Sequence, residues 1–260
     1  MQVIDIHSHL QFSDFDSTRE DIVKELKRRE WGTIVVGTNL QTSLEAVNLS
    51  NKHAYIWATV GQHPTELEKI DTKSLEEIAA NNSLVAIGEC GLDYFRSSRD
   101  EVFDVQVSNF EAQIELAIKY QLPLMLHGRP TKKTMNAYQD MIDILRGRAD
   151  ELPKNPGNAH FFVGDIDIAK QFLEMNFTLS FDGPITFARD YDKVIAYAPS
   201  DMIHAETDSP YAAPVPHRGQ QNSPLYVDSI INTLIEVRNE PDPVAFRAQL
   251  VANAKRVFKL

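Results

Sequence analysis

The chain has 260 residues, 43% hydrophobic and 24% charged, enough for one soluble domain spanning residues 1–260 with a large core. Its formal net charge of −11 argues against coating nucleic acid by bulk electrostatics, though not against holding a phosphodiester locally through bound cations. No apolar run approaches the ~20 residues of a membrane helix. The N-terminus lacks a basic region followed by an apolar block, and the single cysteine, Cys90, excludes an internal disulfide, so a reducing, cytoplasmic setting is expected.

Along the chain, short β-rich runs alternate with longer helical patterns. The runs are Val3–His7, Thr33–Gly37, Tyr55–Val60, Leu84–Glu89, Pro123–His127, Asn158–Val163, Phe177–Phe181 and Met202–Thr207. Between them apolar residues recur at helical spacing, as in Ile22, Val23 and Leu26, or Val107, Phe110, Ile114, Ala117 and Ile118. Ser17 with Glu20 and Thr42 with Glu45 have the spacing of capping boxes. Ser223-Pro224 predicts the start of a last long helix through Leu234.

Eight strands, each followed by a helix, predict a parallel (β/α)8 TIM barrel whose strand C-terminal ends and following loops form one working face. A doubly wound open sheet is the alternative, disfavoured because no glycine-rich phosphate turn follows the first strand. The longest connection, Ser209–Ser223, holds Pro210, Pro214 and Pro216 and follows the eighth strand, on the working face. The Arg148–Gly157 stretch precedes the sixth strand and belongs to the opposite end.

His7 and His9 are two apart on the first strand, so both side chains face one way and can grip one metal ion. Taken alone, such a pair is equally well one core and one partly exposed histidine. The rest of the set gives it weight. His63 closes strand three, Glu89 strand four, His127 strand five, His160 strand six and Asp208 strand eight. Of the eight histidines, five therefore gather at one rim with two carboxylates, a donor mixture that suits Zn, Mn or Fe, with Mg if carboxylates and water dominate.

The stretches Asp5–Leu10, Gly61–Pro64, Gly88–Tyr94, Leu122–His127 and Glu206–Tyr211 resemble the TatD family of metal-dependent deoxyribonucleases, within the amidohydrolase-like barrels. Pro214–Gly219 with Asn222 resembles that family's loop after strand eight, and Asn253–Phe258 its C-terminal signature. The resemblance implies two divalent ions (Mg2+, Mn2+ or Zn2+), one on His7, His9, Glu89 and Asp208, the other on Glu89, His127 and His160, with Glu89 bridging. It implies phosphodiester hydrolysis at the 3′ end of DNA, with His63 on the scissile phosphate and Asp208 orienting the attacking water; RNA ends stay open as a further substrate. Paired cations can activate a shared water and clamp both attacking and leaving oxygens. Two positions depart from the family pattern: Phe161 stands where a cysteine is expected, and Gly128 where a serine is common.

Arg96, Arg129 and Arg218 lie just past ligand-bearing strand ends, where guanidinium forks can hold phosphate; surface arginine is the competing reading. Tyr94 and Tyr211 could stack on a base, though loop aromatics more often pack. Asp5 and Asp93 are candidates to orient imidazoles from behind. His53 near a helix end, His204 about 13 Å below Asp208 along the strand, and His217 on the long loop are not expected to bind metal. Cys90, on the opposite strand face from Glu89, is expected to pack beneath a helix. Two other functions compete: a small-molecule amidohydrolase or phosphotriesterase on the same barrel, and a metal-binding scaffold without turnover. No stable protein partner and no membrane association are expected. No Gly-x-Ser-x-Gly turn supports a serine hydrolase.

Overall fold

The computed structural model describes Met1–Leu260. Strands and helices alternate as β1 (Val3–Ser8), α1 (Arg19–Arg29), β2 (Trp31–Val36), α2 (Leu40–Ser50), β3 (Ile56–Val60), α3 (Thr72–Asn81), β4 (Ala86–Asp93) and α4 (Arg99–Tyr120). There follow β5 (Leu124–Arg129), α5 (Asn136–Arg146), β6 (Gly157–His160), α6 (Ile166–Glu174), β7 (Thr178–Phe181), α7 (Asp192–Tyr197), β8 (Ile203–Ala205), α8 (Val227–Arg238) and α9 (Pro243–Phe258). The strands pair in sequence order, all parallel. Past the end of β8 the chain meets β1: His9 N–H donates to the Ser209 carbonyl (2.7 Å) and Asp208 N–H to the His7 carbonyl (2.9 Å). The fold is a (β/α)8 TIM barrel, not a doubly wound sheet.

All eight expected strands occur, but their lengths shift. β4 runs on to Asp93, four residues beyond Glu89, whereas β6 and β8 stop at His160 and Ala205. His63 and Asp208 therefore stand three residues past their strands, on loops. Gly91 permits the extension of β4. At φ +140° it lies so close to β5 that a Cβ would be 2.1 Å from the His127 carbonyl oxygen.

The expected capping boxes are not the ones used. Thr18 caps α1 without a side-chain bond, and Arg19 instead donates to the carbonyls of Leu10, Gln11 and Phe12. At α2 the cap is Asn39, which exchanges hydrogen bonds with Thr42 while Glu45 accepts from Gln41. Ser223 and Pro224 open a 3-10 turn that leads into α8, and α9 follows, so the helix begun there is not the last. This final helix closes the barrel's N-terminal end. Asn253 donates to the carbonyls of Ser200 and Ile203 at the foot of β8, and Ala254, Val257 and Phe258 cluster with Ile4, Ile6, Ile34, Val36 and Met125. The larger apolar cluster joins strands to the surrounding helices, and Cys90 is buried within it, as expected. With the lower end plugged, only the upper rim is open for chemistry.

Candidate metal centre

Imidazoles and carboxylates converge at the upper rim around one buried side chain, Glu89. Its Oε2 lies 3.4 Å from His7 Nε2 and 3.7 Å from His9 Nε2. Its Oε1 lies 2.7 Å from His127 Nδ1, 3.1 Å from His160 Nε2 and 3.4 Å from His63 Nε2. Asp208 completes the first group, with Oδ1 3.3 Å from His9 Nε2 and 3.8 Å from His7 Nε2. Asp208 has left the strand and takes φ 50°, a conformation uncommon outside glycine, asparagine and aspartate. The expected pairing of His7 and His9 is present, their Nε2 atoms 3.3 Å apart, although the β1–β2 register is irregular between Asp5 and Ser8.

Atoms this close without covalent bonds need protons or cations between them. Burial alone would raise the pKa of Glu89, but the surrounding imidazoles, led by His160 and His63, outweigh it and hold the carboxyl well below its ordinary range. Burial alone would lower His160; Glu206 and Glu89 reverse this and hold it well above the usual imidazole value. At Asp208 the hydrogen bond from His9 and the charges of His160 and His7 overcome desolvation, and its pKa falls. Imidazole nitrogens and carboxylate oxygens in this cluster form the donor set that divalent cations take, and three-residue groups such as His7, His9 and Glu89 or His63, Glu89 and His127 have ligand atoms within 4.8 Å.

A ligating histidine is normally held by a bond from its other nitrogen, which fixes its tautomer and orientation. His9 Nδ1 meets the Val36 carbonyl at 2.9 Å, His127 Nε2 meets Asp93 Oδ2 at 3.2 Å and His160 Nδ1 meets Glu206 Oε1 at 3.1 Å. Glu206 also accepts from Ser180 Oγ (2.8 Å) and from the Phe161 N–H (2.6 Å). This fully buried glutamate is the residue that sequence reasoning passed over, although its spacing of two from Asp208 was a usable signal. Asp5 departs from expectation. Its carboxylate binds Thr207 (2.9 and 2.7 Å) and the His7 N–H (3.3 Å), so it fastens β1 to the end of β8 and reaches no imidazole. His7 Nδ1 has no partner, and the ring stacks on His160 at 3.7 Å between centroids.

A cavity of about 620 Å³ opens above the cluster and is lined by His63, Arg96, Arg129, Phe161 and Tyr211 among others. Arg218 is not in its lining and instead lies over the Phe187 ring at 4.1 Å. Tyr94 is buried with its hydroxyl donating to Asp140, which removes it as a stacking surface; Tyr211 is 55% exposed at the rim. Of the three histidines set aside, His53 lies beyond the end of α2, His204 meets Thr178 inside the barrel and His217 stacks on Tyr226. Gly128 backs onto Tyr138, where a Cβ would be 2.3 Å from the ring. Phe161 takes φ 45° with its N–H on Glu206.

Comparison with known proteins agrees with this geometry. The profile of a family described as TatD related DNase matches residues 4–259. The chain belongs to the TatD family. Among its TatD-like relatives, a metal-dependent hydrolase of Bacillus subtilis, YabD, is 32% identical over 264 residues, covering 99% of each chain. Escherichia coli YcfH, also described as a metal-dependent hydrolase, is 31% identical over 237 residues, 88% of this chain and 86% of its own. The crystal structure of the Escherichia coli TatD homologue YjjV superposes with a TM-score of 0.89 at 25% identity, covering 100% of this chain and 98% of that one. This TatD-family chain is a metal-dependent hydrolase, with its histidine and glutamate donors gathered at the rim where the barrel is open.

Proposed function

We propose that this chain hydrolyses phosphodiester bonds at the ends of DNA, removing nucleotides from the 3′ end, with two divalent cations that Glu89 and the donors around it would hold. The single observation that carries this reading is the division of labour at that carboxylate: Oε2 faces His7 and His9, and Oε1 faces His127 and His160. His7, His9, Glu89 and Asp208 would hold one ion, and Glu89, His127 and His160 the other. Bound there, Mg2+, Mn2+ or Zn2+ supplies Lewis acidity and lowers the pKa of water.

The protein's own groups divide the remaining work. Asp208, at the edge of the cluster, accepts the proton of the attacking water. His63, held through Nδ1 by Thr65 at 2.7 Å, presents Nε2 beside His127 and Glu89, where it contacts the scissile phosphate. Arg96 and Arg129 line the cavity, Arg129 stacked on Phe95 rather than on a carboxylate, and their guanidinium forks suit phosphate oxygens. A cavity of about 620 Å³ falls in the range of small-ligand sites and has room for a terminal nucleotide. The net charge of −11 keeps nucleic-acid contact confined to this rim. RNA ends offer the same phosphodiester and are the second substrate to try.

The test is cleavage of end-labelled single-stranded DNA with Mg2+ or Mn2+, comparing wild type, Glu89→Ala and Asp208→Asn, with metal content measured in parallel. Loss of the proton acceptor in Asp208→Asn is expected to slow turnover by about 100-fold or more, and Glu89→Ala to lose bound metal along with activity. Undiminished cleavage by either variant overturns the mechanism.

A further inference from the structure

Most arginines of this chain are tied down. Arg19, Arg28, Arg29, Arg99, Arg148 and Arg247, for example, all bind carboxylates. Arg129 does not. Its guanidinium, which lines the cavity, lies 4.1 Å over the ring of Phe95; Phe95 is 52% exposed and stands just outside the lining, in the chain between the lining residues Asp93 and Arg96. About half of this side chain's surface is open to solvent and free to be covered by a ligand.

The pair is also anchored to the chemistry. Asp93 Oδ1 accepts from the Phe95 N–H at 2.8 Å, while Oδ2 of the same carboxylate meets His127 Nε2 at 3.2 Å. Phe95 therefore stands at a fixed offset from the metal cluster rather than on a loose loop. An aromatic face backed by a planar cation accepts a nucleobase whatever its identity, and the unpaired guanidinium edge remains available for phosphate.

From this geometry we infer that Phe95 and Arg129 form a nucleobase-stacking subsite, which binds the base of a nucleotide next to the bond being cut. The inference rests on the proposed phosphodiesterase reading, and deepens it by naming the part of the substrate that is recognised. A second pair built in the same way, Arg218 over Phe187 at 4.1 Å, has neither member in the cavity lining, whereas Arg129 of the first pair lines it, and so serves as an internal control.

The test compares wild type, Phe95→Ala, Phe95→Tyr and Phe187→Ala on three substrates: an oligothymidylate, an abasic oligonucleotide of equal length, and bis(p-nitrophenyl) phosphate. Stacking of one base predicts that Phe95→Ala raises KM for oligothymidylate by about 5-fold or more with kcat little changed. Phe95→Tyr restores KM, Phe187→Ala leaves it unaltered, and Phe95→Ala has no effect on the abasic substrate or on bis(p-nitrophenyl) phosphate. An unchanged KM in Phe95→Ala, or an equal rise for abasic and normal strands, overturns the subsite while leaving the hydrolase reading intact. If wild type cleaves none of the three, the phosphodiesterase reading fails instead. Binding of fluorescent oligothymidylate to wild type and Phe95→Ala then decides the subsite by the same ratio.

Discussion

His204 offers the sharpest quantitative test of the fold. It is buried inside the barrel, with Nε2 3.0 Å from Thr178 Oγ1 and Nδ1 without a partner. Burial, reinforced by the positive charge of Arg256 on α9, lowers its pKa from 6.5 to about 3. The folded chain thus keeps this imidazole neutral where the unfolded chain protonates it. Between pH 6.5 and 3 the unfolded state binds more protons, so stability is complete above 6.5 and declines as pH falls.

The loss attributable to this residue on going from pH 8 to pH 5 is about 2 kcal/mol, and it approaches about 5 kcal/mol only below pH 3. The pH 5 figure depends almost entirely on the unfolded value, because a native pKa near 3 contributes little there. Chemical denaturation at pH 8, 6 and 5 in the presence of EDTA, comparing wild type with His204→Gln, isolates the term. Every other titration is common to both proteins, so their stability difference should shift by about 2 kcal/mol between pH 8 and 5 in favour of the variant. Parallel curves would show that the folded protein accommodates the charged imidazole, and the reasoning would fail.

Two further outcomes follow from the same packing. Glu206→Gln weakens the acceptor that holds His160 through Nδ1 while keeping the side chain's shape, and is expected to lower metal affinity by about 10- to 100-fold; isothermal titration of chelator-stripped protein measures it, and wild-type affinity would remove Glu206 from the role of positioning His160. Cys90 is fully buried and burial raises its thiol pKa, so a thiol reagent should react only at the rate of unfolding; rapid reaction with native protein would contradict the packing of β4.

The barrel is legible in the sequence because its determinants are local. Each strand is a short β-rich run, each helix carries its own apolar period, and eight repeats of that alternation leave few ways to bury both faces of a parallel sheet. The donors could be read for a related reason, since residues at the strand ends of a barrel must share one rim. Boundaries were less accessible. The extension of β4 through Asp93 depends on how closely Gly91 approaches β5, and the cap at α2 fell to Asn39 because side-chain geometry, not spacing, selects among nearby polar residues.

The sequence by itself determined the element order, the identity of the imidazoles and carboxylates, and the rim they occupy, since strand periodicity and connection order carry those through to space. Only the tertiary structure decided that Glu89 offers one oxygen to each histidine group, that Glu206 rather than Asp5 holds an imidazole, and that Arg129 reaches the cavity while Arg218 does not. Those outcomes turn on differences of an ångström or two between side chains distant in the chain, and no local pattern encodes distances of that kind.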